Sequence, residues 1–249
     1  MDINETSKGM ENRHPWELSR AKCVLEAMEP YLRKLHKAGG VKYLNVGAGD
    51  LYFDRILMRK YSKDTVYAVD VGYKNKETEN NRIHKFNTLE EISENNFDFV
   101  VMMDLLEYLE DEAEYIRQLS EKIKPGGYLF LTATAFQKLY SAHDIHVKAL
   151  RRYDRKSFAE IIRQVPKTQK VEAHYFYFSL FCVRAAQVGL HLPIDPKEKI
   201  TTGWRYKEES LITKLIVGFL NIDFKIGHFL GRHGICLPGL SLWVVCQKK

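Results

Sequence analysis

VKYLNVGAGDLYFDRILMRKYSKDTVYAVD, residues 41–70, decides the fold. Its opening run, Val41-Lys42-Tyr43-Leu44-Asn45-Val46, reads as a buried strand. Gly47-Ala48-Gly49-Asp50 breaks that run. Leu51, Phe53, Ile56 and Leu57 then recur at helical spacing over residues 51–61, and a second strand over residues 65–69 ends on Asp70. A strand, a glycine turn, a helix and a strand closing on an acid form the nucleotide-binding half of a doubly wound sheet. Glycine lets the backbone approach a ligand and the helix N-terminus offers free amides. An acid about 20 residues on can accept hydrogen bonds from ribose hydroxyls. A dinucleotide site also asks for a third glycine where this chain has Tyr52, so NAD or FAD fits poorly.

The rest of the 249 residues supports one large domain. Residues 1–12 carry no apolar signal region and read as a disordered tail, leaving residues 13–249 as a single domain. The most apolar later stretch, residues 211–220, is too short to span a bilayer and contains Lys214. Cys23, Cys182, Cys236 and Cys246 show neither a CxxC motif nor metal spacing, which predicts reduced thiols, no metal and a cytoplasmic protein. A formal charge of +6 is mild for this length and gives no argument for DNA.

In chain order, Pro15 opens a helix whose apolar stripe runs from Trp16 to Leu32 and ends at Ala38-Gly39-Gly40. It packs on the sheet, or brings Trp16, Glu17 and Arg20 over the ligand mouth. Residues 74–81 read as a loop or short helix and residues 83–86 as a third strand. Asn87 follows, either turning the chain or meeting a ligand ring, and Thr88 with Glu91 has capping-box spacing for a short helix. FDFVVMM (residues 97–103) is a fourth, continuously apolar strand that delivers Asp104-Leu105-Leu106-Glu107-Tyr108 to the carboxyl edge. A helix over residues 113–123, a stop at Lys124-Pro125-Gly126-Gly127 and a fifth strand over residues 128–133 come next. Residues 171–178, 180–188 and 240–246 complete the pattern as strand, helix and strand. Between them, residues 191–239 form an insertion with apolar residues at helical spacing over 211–219 and 224–230. Two short amphipathic helices are expected there, as a lid over the carboxyl edge. Arg205, Lys207, Lys214, Lys225 and Arg232 would rim its mouth, and a lipophilic acceptor or a membrane face could meet its apolar side.

VGAGD, AVD, FDFVVMMDLLEYLED and KPGGYLFLTA, in this order and spacing, resemble the four motifs of class I S-adenosylmethionine (SAM) methyltransferases. Within that superfamily the chain is similar to a bacterial group marked by His14-Pro15-Trp16-Glu17 with Arg20, and by Ser141-Ala142-His143-Asp144 leading to Arg151-Arg152-Tyr153. The resemblance implies a Rossmann-like seven-stranded sheet, mostly parallel with one antiparallel strand and helices on both faces. It also implies SAM as cofactor and S-adenosylhomocysteine (SAH) as product, with no metal. Asn45, Gly47, Ala48, Gly49, Asp104 and Leu105 would meet the methionine part, Asp70 and Val71 the ribose, and Asn87 and Thr88 the adenine. Trp16, Arg20, Tyr108, Arg151, Arg152 and Tyr153 would face the acceptor, a small molecule with an oxygen or carbon nucleophile. For an oxygen nucleophile, His143 or His146 is the candidate base.

The chain departs from the pattern. Asn45 replaces the acid before the turn and Asp50 the third glycine, while Tyr108 and Ala149 stand where the group commonly has histidines. These changes leave a non-catalytic SAM-binding scaffold as an alternative. An RNA-modifying enzyme ranks lower, since residues 151–156 are one short basic cluster. His143 with Asp144, and the two arginines with Glu107 or Asp111, could instead be structural pairs. The sequence identifies neither the acceptor nor the oligomeric state.

Overall fold

Seven strands are ordered β3-β2-β1-β4-β5-β7-β6 in the computed structural model, which describes residues 12–74, 78–190 and 206–249. The strands are β1 (Lys42–Val46), β2 (Thr65–Val69), β3 (Ile83–Phe86), β4 (Phe97–Met103), β5 (Ile123–Thr134), β6 (Thr168–Phe176) and β7 (Ser241–Lys248). β1 pairs in parallel with β2 and β4, β2 with β3, and β4 with β5, whereas β7 is antiparallel to both β5 and β6. This is the expected mostly parallel, Rossmann-like sheet with its single reversed strand.

Strand side chains alternate between two cores, as a sheet covered on both faces requires. Tyr43, Phe99, Phe130 and Trp243 point to one face, where α1 (Pro15–Leu35), α2 (Tyr52–Lys60) and α7 (Leu211–Arg232) pack. Leu44, Val100, Leu131 and Val244 point to the other, against α3 (Glu112–Lys122) and α5 (Arg155–Arg163). α4 (Ala142–His146) and α6 (Phe178–Gly189) sit after β5 and β6.

Several expected elements differ. The short helix at Thr88 is absent; Glu91 accepts from the Asn87 amide instead, and the chain only turns there. β5 starts at Ile123, ahead of the expected stop at residues 124–127, because Ile123 already pairs with Phe97 before the chain turns at Gly126. The two helices expected over 211–219 and 224–230 are one continuous helix, α7. Its mid-helix polar residues do not break it, because neighbours engage them: Asn221 accepts from Ser19 (2.8 Å) and Asp223 caps the start of α6 through the Ser179 amide (3.0 Å). The body of α7 lies along α1 on the sheet face, with Phe224 stacked on Phe176, and not as a lid across the carboxyl edge. Lys214, Lys225 and Arg232 therefore run along a helix side and rim no mouth among the described residues. Arg205, residues 1–11 and residues 75–77 of the expected loop lie outside the described residues.

Candidate active site

The strand order reverses between β1 and β4, which opens a crevice at their carboxyl ends. The chain leaves β1 through Gly47 and Gly49, both left-handed (φ 72° and 58°), a conformation that costs glycine nothing. The Gly47 and Ala48 amides donate to Val69 O, and the Gly49 amide donates to an Asp70 carboxylate oxygen at 2.9 Å. The other Asp70 oxygen accepts from the Gly72 amide, so the acid is fixed at the mouth of the glycine turn. A cavity of about 230 Å³ lies here, lined by Gly47, Asp70, Val71, Asn87, Thr88 and Leu105, with Val46, Val69, Leu89, Glu90 and Tyr115 completing its walls.

Six of the ten cofactor candidates thus converge on one cavity. Asn45 does not: it is buried and donates through Nδ2 to both carboxylate oxygens of Asp54 on α2. Burial pushes the Asp54 carboxyl up to about 7, against that hydrogen bond. The Asn45–Asp54 pair locks β1 to α2, which explains an amide where the motif commonly has an acid. Ala48 and Gly49 shape the turn without lining the cavity. The Asn87 side chain lines the cavity and donates to Tyr73 O at 2.9 Å.

Asp50, in place of the third glycine, is engaged by Arg13, whose guanidinium lies 3.9 Å from the centre of the Tyr52 ring. Arg13 sits just ahead of the helix pattern, in a stretch with no periodicity to mark it. Beyond β4, Asp104 is left-handed (φ 51°) and accepts from the buried Arg20 at 2.5 Å and from Thr132 at 3.0 Å. Arg20 lies 5.0 Å from the ring centres of both Trp16 and Phe176. Arg20 and Asp104, expected on different ligands, therefore form one ion pair at the carboxyl edge. Beside them lies Glu107, 2% exposed, with one carboxylate oxygen lacking a partner among the described residues. Burial, with the charge of Asp104 adding, pushes its carboxyl up to about 8. Glu107, expected only as an arginine partner, is marked in the sequence by its place in an apolar run after β4.

The loop after β5 is held by the groups expected to meet an acceptor. Arg152 donates to both oxygens of Asp144 (2.8 and 3.0 Å) and to Ala135 O. Arg151 pairs with Glu112, not Glu107 or Asp111, and reaches the Leu109 and Glu110 carbonyls. Tyr153 is buried and donates to Leu106 O. Arg151 and Tyr153 fasten the loop to the segment after β4, and Arg152 closes it on Asp144 and Ala135. Although burial opposes it, Arg152 and then Ser141 hold the Asp144 carboxyl below the carboxylate range. Asp144 thus spends its hydrogen bonds on Arg152 and Ser141, and acts on His143 only through its charge. Burial lowers the pKa of the half-buried His143 ring and keeps it neutral near pH 7. His146 and Tyr108 are exposed. At the start of this loop, Phe136 stacks on Tyr175 and meets Phe181 at a tilt, with ring centres 4.9 and 5.3 Å apart.

Four non-glycine residues hold left-handed backbone in the segments that follow strands at this edge. They are Asp104, Leu51, Phe136 (φ 61°) and Tyr177 (φ 62°). Backbone strain of this kind, about 1–3 kcal/mol each, gathers at ligand sites. Among the described residues, no group of histidine, cysteine, aspartate and glutamate side chains could hold a metal ion, and no helix is long and apolar enough to cross a membrane.

Residues 19–180 match the family model described as "Methyltransferase domain". No curated protein matches the sequence. Among solved structures, the chain is similar to the plantazolicin methyltransferase BpumL in complex with SAH, at 11% identity over 99% of this chain and 88% of that one, TM-score 0.57. It is also similar to a SAM-dependent methyltransferase from Archaeoglobus fulgidus, at 13% identity over 92% of this chain and 94% of that one, TM-score 0.51. Coclaurine N-methyltransferase bound to N-methylheliamine and SAH is 16% identical over 90% of this chain and 70% of that one, TM-score 0.52. At these identities the likeness is one of fold. The family match spans well over half of the chain and agrees with the sheet order, so the chain belongs to the methyltransferase-domain family, built on the class I fold.

Proposed function

We propose that the protein transfers a methyl group from SAM to a small-molecule acceptor with an oxygen or carbon nucleophile, on an aromatic, lipid-linked or glycan-type biosynthetic intermediate. The observation that supports this most is the convergence of Gly47, Asp70, Asn87 and Leu105 on one cavity at the switch point of the sheet. The donor set fits the cofactor. Asp70 retains lone pairs for vicinal hydroxyls, and Val46, Val69, Leu89 and Leu105 offer apolar walls to a flat ring.

When bound, SAM supplies an activated methyl group, so the protein's task is alignment and, for a hydroxyl acceptor, removal of one proton. The Gly47–Gly49 turn and Asp70 would hold the cofactor. Arg20 fixes Asp104 and keeps its charge from reaching across the edge. A neutral His143 ring can take the acceptor proton. The aromatic group of Phe136, Tyr175 and Phe181 favours an apolar acceptor body over a free sugar.

Incubation with methyl-labelled SAM and a fractionated cell extract tests the proposal. Label is expected in the small-molecule fraction, with SAH released in equal amount. Label in RNA or protein would refute the acceptor class, and SAM binding without label transfer would favour the scaffold.

A further inference from the structure

α7 presents two apolar faces. Thr213, Val217, Leu220 and Phe224 are buried against the domain. On the opposite side Leu211, Leu215, Phe219, Ile222, Ile226 and Phe229 are each more than half exposed. Their spacing of four, four, three, four and three residues makes an unbroken stripe, about 27 Å long at 1.5 Å per residue. Every other exposed residue of α7 is either Ile212 or a cation: Lys214, Lys225 and Arg232. The cations share one flank of the stripe. The helix's single acid, Asp223, lies on the other flank and is engaged by Ser179. On that flank α6 continues the surface with exposed Phe178, Val183 and Leu190 and no exposed charge.

We infer that this face docks on an anionic lipid bilayer surface, with α7 lying in the interfacial plane. Large exposed apolar patches on a folded chain mark interaction sites. Apolar residues flanked by Lys214, Lys225 and Arg232 match the charge of an anionic headgroup layer. A second copy of the chain fits less well, because it would bring Lys214, Lys225 and Arg232 to a rim with little acid to receive them. Glu26 lies 3.9 Å from Lys225, and Glu209 is exposed just ahead of α7. The inference stands apart from the cofactor reading, since docking is measured without turnover. The stripe begins at the end of α7 nearer the carboxyl edge, where Glu208 accepts from the Arg13 amide, so a docked molecule would hold its crevice close to the membrane.

Flotation of the full chain with vesicles of phosphatidylcholine alone, and of phosphatidylcholine with phosphatidylglycerol in equal parts, tests this. Light scattering on the same sample gives its mass. Binding is expected to the anionic vesicles from a monomeric protein. Phe219→Glu with Ile222→Glu should cut the bound fraction at least tenfold with circular dichroism and Tm retained. Lys214→Glu with Lys225→Glu should remove the preference for anionic lipid. A dimer that Ile222→Glu dissociates would assign the stripe to self-association and overturn the inference. No vesicle binding by a monomer would also overturn it, and leave residues 191–205 as the candidate cover.

Discussion

Replacing Glu107 with glutamine should make the protein more stable, and increasingly so as pH rises. Glu107 is 2% exposed, and its carboxyl titrates near 8 in the fold against 4.5 for an ordinary glutamate. Between those values the folded chain keeps a proton that the unfolded chain has released. The folded state binds more protons there, so stability falls as pH rises. Each pH unit costs about 1.4 kcal/mol, so the 2.5 units from about pH 4.5 to 7 amount to roughly 3 kcal/mol. Glutamine is neutral throughout and can still accept from the Thr134 amide, which lies 3.4 Å from the Glu107 carboxylate. Urea unfolding followed by circular dichroism should give Glu107→Gln a stability near that of the parent at pH 5 and roughly 3 kcal/mol higher at pH 7. A difference independent of pH would refute the reasoning. So would destabilisation that grows with pH, because Glu107 would then be ionised and held by Arg20, whose Nε and Nη1 have no partner among the described residues.

Asp70→Ala removes the carboxylate at the cavity and should weaken SAM binding at least tenfold by calorimetry. His143→Ala should lower turnover by about 10²–10⁴ with SAM affinity nearly unchanged, and normal turnover would return His143 to a structural role. Glu172 joins α1, β6 and α7. Although burial opposes it, His174, then His228 and Tyr31, hold its carboxyl below the ordinary range. That stability is present above the ordinary glutamate pKa and lost as pH falls through the lower folded value. Glu172→Gln should therefore lower Tm at pH 7, with the deficit shrinking in acid.

The sheet was legible where apolar runs are bounded by turn residues. β2, β3 and β4 begin and end where their runs do, and Asp70 stands at the glycine turn as its spacing implies. Reading was hardest where side chains serve distant neighbours. Asn221 and Asp223 look like a helix break, yet each satisfies a group on another element, and α7 runs through them. Asn45 looks like a damaged ligand and proves to be a buried clasp on Asp54. Arg151 and Arg152 look like anion clamps, but charge clusters do not reveal their partners, and the acids that take them lie 39 and 8 residues away. Glu107 looks like an arginine partner, because the burial that raises its proton affinity shows only faintly, in the apolar run around it.

Calorimetric titration of the full chain with SAM, with NADH as a control, tests the central claim most directly. The site geometry predicts a micromolar Kd for SAM, about −7 to −8 kcal/mol, and no heat from NADH. Tight binding of NADH with no heat from SAM would contradict the account.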